Sequence, residues 1–257
     1  MERIVHQILV VLDDFDRCGN QLTQAIQLAN LLNSDIHLLH VLRPGWAANR
    51  RQQATAQLRE IQTRLIPQLG KGHLLHSQCA TTDPHKFILH YCERYVIDLV
   101  MLQQHRPRPW SRLFFKLNIE KLAKELSCPL INIPASHQPG HFKNIILPVT
   151  DQLPLRKMHF ASFLTEQQEA TVFLVGEQTS HLLERTKQLL AENTQLSIAF
   201  LPADNKNIAQ ASLRYARELG ADLILVEAGI ESRLPGFLNR LFERFLFSAS
   251  PVPVMAV

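Results

Sequence analysis

One strand-like pattern recurs in this chain at a fixed separation. Asp98-Leu99-Val100-Met101-Leu102 is matched by Asp222-Leu223-Ile224-Leu225-Val226, and Pro129-Leu130-Ile131-Asn132-Ile133 by Pro253-Val254-Met255-Ala256-Val257. Position 222 lies 124 after position 98, and position 253 lies 124 after position 129. One offset at two landmarks with matching patterns marks a duplication. Each half of the 257 residues is then the size of a small domain with its own core.

The first half alternates strand and helix signals. Gln7 to Leu12 is a continuous apolar, β-branched run, as expected of a strand covered on both faces, and Asp13-Asp14 ends it. Gln21 to Leu32 carries Leu22, Ala25, Ile26, Ala29 and Leu32 at helical spacing, with Asn33 as a stop. Strands are expected over Asp35–Leu42, Leu74–Ala80, Asp98–Leu102 and Pro129–Ile133, and helices over Ala47–Leu69, Thr82–Tyr95 and Trp110–Leu126. Asp83 and Pro84 supply a cap and a first turn for the third helix. The second half repeats the order. Strands fall at Asn144–Val149, Thr171–Val175, Leu196–Leu201, Asp222–Val226 and Pro253–Val257, with helices through Met158–Phe163, Ser180–Ala191, Asn207–Leu219 and Pro235–Ser248. The resulting division is 1–135, a Pro/Gly-containing linker at 136–141, and 142–257. Such alternation requires right-handed crossovers, hence an α/β fold with a parallel sheet and helices on both faces. Ligands of these sheets sit outside the carboxyl ends of the strands, where the strand order reverses.

Composition excludes several classes. With 46% hydrophobic and 19% charged residues the chain is globular rather than disordered. A net charge of +4, spread singly among carboxylates, lacks the basic tract of a nucleic-acid groove. The densest basic stretch, Arg106 to Lys116 with Arg108 and Arg112, reads as solvated loop charge between prolines. The apolar runs fall far short of the ~20 residues that span a bilayer, and MERIVHQILVVLDD lacks a secretory pattern. Cys18, Cys79, Cys92 and Cys128 show no C-x-x-C pair, so reduced core thiols in a cytoplasmic protein are expected.

The first strands QILVVLDD and NIILPVTD, the strands DLVML and ADLILV, and the endings SCPLINIP and SPVPVMAV together resemble the universal stress protein family, twice over. The resemblance implies two tandem five-stranded, Rossmann-like parallel-sheet sandwiches. In single-domain relatives the last strand often makes the dimer contact at the sheet edge. An exposed apolar edge favours such pairing, so the two halves are expected to pack as a pseudo-dimer. Members that bind ATP carry Gly, two residues, Gly, nine residues, Gly and then Ser or Thr after the fourth strand. There the glycines let backbone N–H groups approach phosphate at a helix start. Family spacing places these positions at Gln103, Arg106, Lys116 and Leu117, and in the second half at Glu227, Ile230, Arg240 and Leu241. None is Gly, Ser or Thr, and Gly229 and Gly236 have the wrong spacing. The family's adenine-side acid falls on Asp13, and in the second half on Thr150, beside Asp151. No ATP and no other cofactor is therefore expected.

Nor does the sequence offer a metal or catalytic constellation. His137 and His141 are separated by Pro139-Gly140, and His37 and His40 lie three apart on a strand, facing opposite sides. There is no G-x-S-x-G elbow, Walker lysine loop or HExxH helix. The expectation is a non-catalytic stress-response accessory protein acting on a protein partner. The alternatives are a small-molecule sensor with a pocket around Asp13, Val41 and Gln103, and a nucleotide-hydrolysing enzyme.

Overall fold

The computed structural model describes residues 5–42, 48–104, 117–150, 152–165, 169–193, 196–203, 208–227, 247 and 250–257. The chain divides into two compact units, residues 1–139 and 140–257.

In the first unit, β1 (Gln7–Leu12), β2 (Asp35–Leu42), β3 (Leu75–Thr81), β4 (Leu99–Gln104) and β5 (Leu130–Pro134) pair in parallel in the order β3-β2-β1-β4-β5. Between them run α1 (Gly19–Leu32), α2 (Ala48–Leu65), α3 (Pro84–Tyr95) and α4 (Ile119–Glu125). Ile8, Leu9 and Val10 are consecutive and fully buried, which requires cover on both faces of β1. Asn33 ends α1 in the left-handed conformation, and Asp83 caps α3 by accepting the Lys86 N–H at 2.9 Å. The helix expected over Trp110–Leu126 is seen as α4. Its first part lies outside the described residues.

In the second unit, β6 (Asn144–Pro148), β7 (Thr171–Gly176), β8 (Ser197–Pro202), β9 (Leu223–Val226) and β10 (Val254–Ala256) pair in parallel as β8-β7-β6-β9-β10. They alternate with α5 (Leu155–Thr165), α6 (His181–Asn193) and α7 (Ile208–Glu218). The helix expected at Pro235–Ser248 falls, but for Phe247, outside the described residues.

The repeated aspartates do the same work in both units. Asp98 Oδ2 accepts the N–H groups of His6 and Gln7 at 2.8 and 3.0 Å, and Asp222 Oδ2 those of Lys143 and Asn144 at 3.0 and 2.9 Å. Each aspartate thus ties the start of the fourth strand of its unit to the start of the first. Two residues before each aspartate the backbone turns left-handed, at Val96 (φ 49°) and Gly220 (φ 59°). The duplicated sequence pattern is a duplicated hydrogen-bond pattern.

Candidate functional site

The chain leaves β1 toward β2 and β3 on one side, then crosses to β4 and β5 on the other. The crevice between β1 and β4 at their carboxyl ends is the place where such a sheet can receive a ligand. The β1–β4 ladder stops at Val10↔Met101. Beyond it stands Gln21, the third residue of α1 and fully buried. Its Nε2 donates to the Val11 carbonyl and to the Met101 carbonyl, each at 3.1 Å, bridging the two strands where they diverge. His40, near the end of β2, places Nδ1 2.7 Å from the Leu12 carbonyl. A carbonyl only accepts, so Nδ1 carries the proton. Burial holds the His40 pKa below its ordinary value, although the Leu12 bond works the other way. The Phe15 ring lies over His40 with centroids 4.4 Å apart. Three carbonyls at this crevice, those of Val11, Leu12 and Met101, are thus taken up by the protein's own side chains.

The second unit places different chemistry at the matching positions. Lys157 is the third residue of α5, 1% exposed, and its Nζ donates to the Pro148 carbonyl. Val11 and Pro148 are each the fifth residue of their first strand. Glu227, 7% exposed, follows β9 and lies 124 positions after Gln103. Continuing the β6–β9 register from Ile146↔Ile224 puts Glu227 level with Val149. A buried ammonium is costly without a compensating charge, and a buried carboxylate stands at the same strand ends. Gly176, the last residue of β7, packs its Cα closely against its neighbours. A Cβ there would lie 3.0 Å from the Val149 carbonyl oxygen and 3.1 Å from Leu183.

The residues singled out in the sequence are distributed as follows. Asp13 is exposed directly after β1, Val41 is buried in β2, and Gln103 is 7% exposed near the end of β4. The Gln103 Nε2 and Oε1 find no hydrogen-bond partner among the described residues. Thr150 is buried two residues past β6. The structure therefore brings Asp13 and Gln103 to one pair of strand ends and Thr150 and Glu227 to the other. Arg106, Lys116 and Asp151 lie outside the described residues, as do Arg108, Arg112, Ile230, Arg240 and Leu241. Sequence reasoning missed Gln21 and Lys157, and weighed His40 only as a metal ligand. The available signal was a polar residue set against the apolar stripe in the first turn after each first strand, beside Leu22 and Met158. Among the described residues no three His, Cys, Asp or Glu side chains are grouped to hold a metal ion. No described helix is long and apolar enough to cross a membrane.

Comparison with known proteins assigns the family. The profile of the universal stress protein family matches residues 5–134. This chain belongs to the universal stress protein family. Membership implies a role in the stress response. The fold likeness to a universal stress protein from Archaeoglobus fulgidus covers 100% of this chain and 98% of that one, with a TM-score of 0.72 at 14% identity. A protein of unknown function from Pseudomonas aeruginosa PAO1 matches over 98% of this chain and 92% of its own, with a TM-score of 0.61 at 18% identity. The cytoplasmic domain of a prokaryotic cation chloride cotransporter matches over 98% and 95%, with a TM-score of 0.54 at 11% identity. At such identities the likeness is one of fold, and it extends over both units. No curated protein sequence matches the chain.

Proposed function

We propose that this universal stress protein is a non-catalytic stress-response accessory that acts through a protein partner, with the strand-end crevice of each unit filled from within. The observation that carries this reading is the Gln21 amide, which bridges the Val11 and Met101 carbonyls across the divergence of β1 and β4. A phosphate cradle needs free main-chain N–H groups and room beside them. Gln103 and Glu227 add bulk at the first glycine position of each unit, and a carboxylate at Glu227 repels a polyphosphate. A ligand that binds only the native state must raise its melting temperature. Thermal unfolding of the full chain with millimolar ATP, AMP and related nucleotides is therefore expected to shift by less than about 1 °C. A saturable rise of several degrees would contradict the proposal.

A second reading has a specific observation behind it. The Gln103 carboxamide is buried with both polar atoms unpartnered among the described residues, and buried amides are normally satisfied. That favours a small polar molecule held in the first unit beside Asp13. Native mass spectrometry of the purified chain tests it. A co-purifying small molecule lost in Gln103→Leu would support the sensor over the partner-binding protein.

A further inference from the structure

β3 is the outer strand of the first unit's sheet, and among the described residues it pairs with β2 alone. The Ile36 N–H donates to the Leu74 carbonyl at 3.0 Å, and the Thr82 N–H to the Leu42 carbonyl at 2.9 Å. Every second residue of β3 therefore bonds β2, and Leu75, Ser77, Cys79 and Thr81 turn their N–H groups to the open side. Of the carbonyls on that side, the one of Leu75 accepts from Gln62 Nε2 at 2.6 Å. Such a row of open groups pairs readily with another chain, and natural edges guard it with Lys, Pro or a bulge. β3, LHSQCAT, has no lysine and no proline, and its register runs unbroken from Ile36↔Leu75 to Leu42↔Thr81. The outer strand of the second unit differs. There the Ser197 N–H bonds the Ala170 carbonyl and the Ala203 N–H the Gly176 carbonyl, so Pro202 holds an outward position and offers no N–H.

We propose, on the partner-binding reading above, that the open edge of β3 and the arginine flank of α2 form a docking surface for an acidic, extended segment of a partner protein, which joins the first unit's sheet as a further strand. Main-chain pairing supplies the attachment in this mode of recognition, and side chains supply the choice of partner. The choice comes from α2. Arg51, Thr55, Arg59 and Gln62 follow one another at helical spacing on one flank. That flank faces β3, since Gln62 bonds the Leu75 carbonyl and Gln62 Oε1 accepts from the Ser77 hydroxyl at 2.8 Å. A cleft of about 360 Å³ opens along it, lined by Arg51, Gln52, Thr55, Ala56 and Arg59. Both arginines are exposed, and among the described residues neither is in an ion pair. Nor do they serve the helix itself. Arg50 and Arg51 stand in a first turn without an acidic residue, where the helix dipole disfavours cations. Arg51 and Arg59 are eight residues apart, about 12 Å along the helix. Side chains four residues apart on one face of a strand are about 13 Å apart, so carboxylates at that interval match the two guanidiniums. A second copy of this chain fits poorly, because pairing β3 with β3 sets one arginine flank against the other.

The test uses the full chain and a labelled synthetic peptide of alternating threonine and valine, in which two threonines four residues apart are replaced by glutamate. Fluorescence anisotropy reads binding, and amide hydrogen exchange by NMR reads the contact. The peptide is expected to bind saturably and to protect the N–H groups of Leu75, Ser77, Cys79 and Thr81, while a counterpart with lysines for glutamates stays free. Arg51→Glu together with Arg59→Glu, at exposed positions, should weaken binding by about tenfold. Ser77→Pro removes an outward N–H, leaves the ladder to β2 intact and should abolish binding. A peptide that does not bind, a lysine peptide that binds as well, or protection away from β3 overturns the proposal. So does a single-stranded RNA that takes the peptide's place and is lost in the same arginine variant. Nucleotide melts separate the two possible failures. A chain that ignores peptide and nucleotides alike loses this surface and keeps the partner-binding reading, whereas a rise of several degrees with ATP sinks that reading whatever the peptide does.

Discussion

Replacing Gln21 with leucine keeps roughly the volume of the side chain and removes its donors. In the native chain Nε2 serves two buried carbonyls, those of Val11 and Met101, at 3.1 Å each. A buried acceptor stripped of its donor costs about 1–2 kcal/mol, so the two together cost about 2–4 kcal/mol. One effect works the other way. The Gln21 Oε1 is buried without a partner among the described residues, and deleting it relieves about 1 kcal/mol. The net expectation for Gln21→Leu is a loss of about 2 kcal/mol, borne by the first unit. Urea denaturation followed by far-ultraviolet circular dichroism reads the transition. The midpoint should fall with little change in slope, because the surface exposed on unfolding is nearly unchanged. A Gln21→Leu protein as stable as the parent, or more stable, would show that the bridge between β1 and β4 does not hold these strand ends together.

Three further outcomes follow from the geometry. Val96 is 73% exposed and left-handed at φ 49°, where the second unit has Gly220. Val96→Gly should stabilise the first unit by about 0.5–1 kcal/mol in urea melts, relief of backbone strain outweighing the entropy of glycine in the unfolded chain. Asp222→Ala deprives the Lys143 and Asn144 N–H groups of their acceptor and should cost the second unit about 1–2 kcal/mol, read by calorimetry. His37 is held neutral. Its Nε2 faces Gln7 Oε1 at 2.7 Å, and its Nδ1 faces the Tyr91 hydroxyl at 2.9 Å. Burial first, and His76 stacked beside it second, lower its pKa from 6.5 to about 4, while Asp35 opposes the shift. A folded pKa below the unfolded one means that the unfolded chain takes up the proton first. His37 thus contributes stability that is fully present above pH 6.5 and lost as pH falls toward 4, by at most about 3 kcal/mol. Denaturation at pH 7.5, 5.5 and 4.5 should show that slope, and His37→Gln should flatten it.

The architecture was largely legible because its causes are local. Continuous apolar runs such as Ile8–Val10 mark strands covered on both faces, Asp83-Pro84 and Asn33 punctuate helices, and the repeat at Asp98 and Asp222 betrays the duplicated strand tie. The crevice was legible only in part. Gln103 and Glu227 can be located by spacing, and their burial follows from the strand ends they occupy. Gln21 and Lys157 could not be assigned by period alone. A polar residue in the first turn of a helix normally faces water, and only the divergence of β1 from β4 creates buried carbonyls for Gln21 to reach.

The measurement that bears most directly on a crevice occupied by the chain's own side chains is an ATP titration by isothermal calorimetry against both the parent chain and Gln21→Ala. The account predicts no saturable heat from the parent up to millimolar nucleotide. Saturable ATP binding by the parent, weakened by Asp13→Ala, would contradict it.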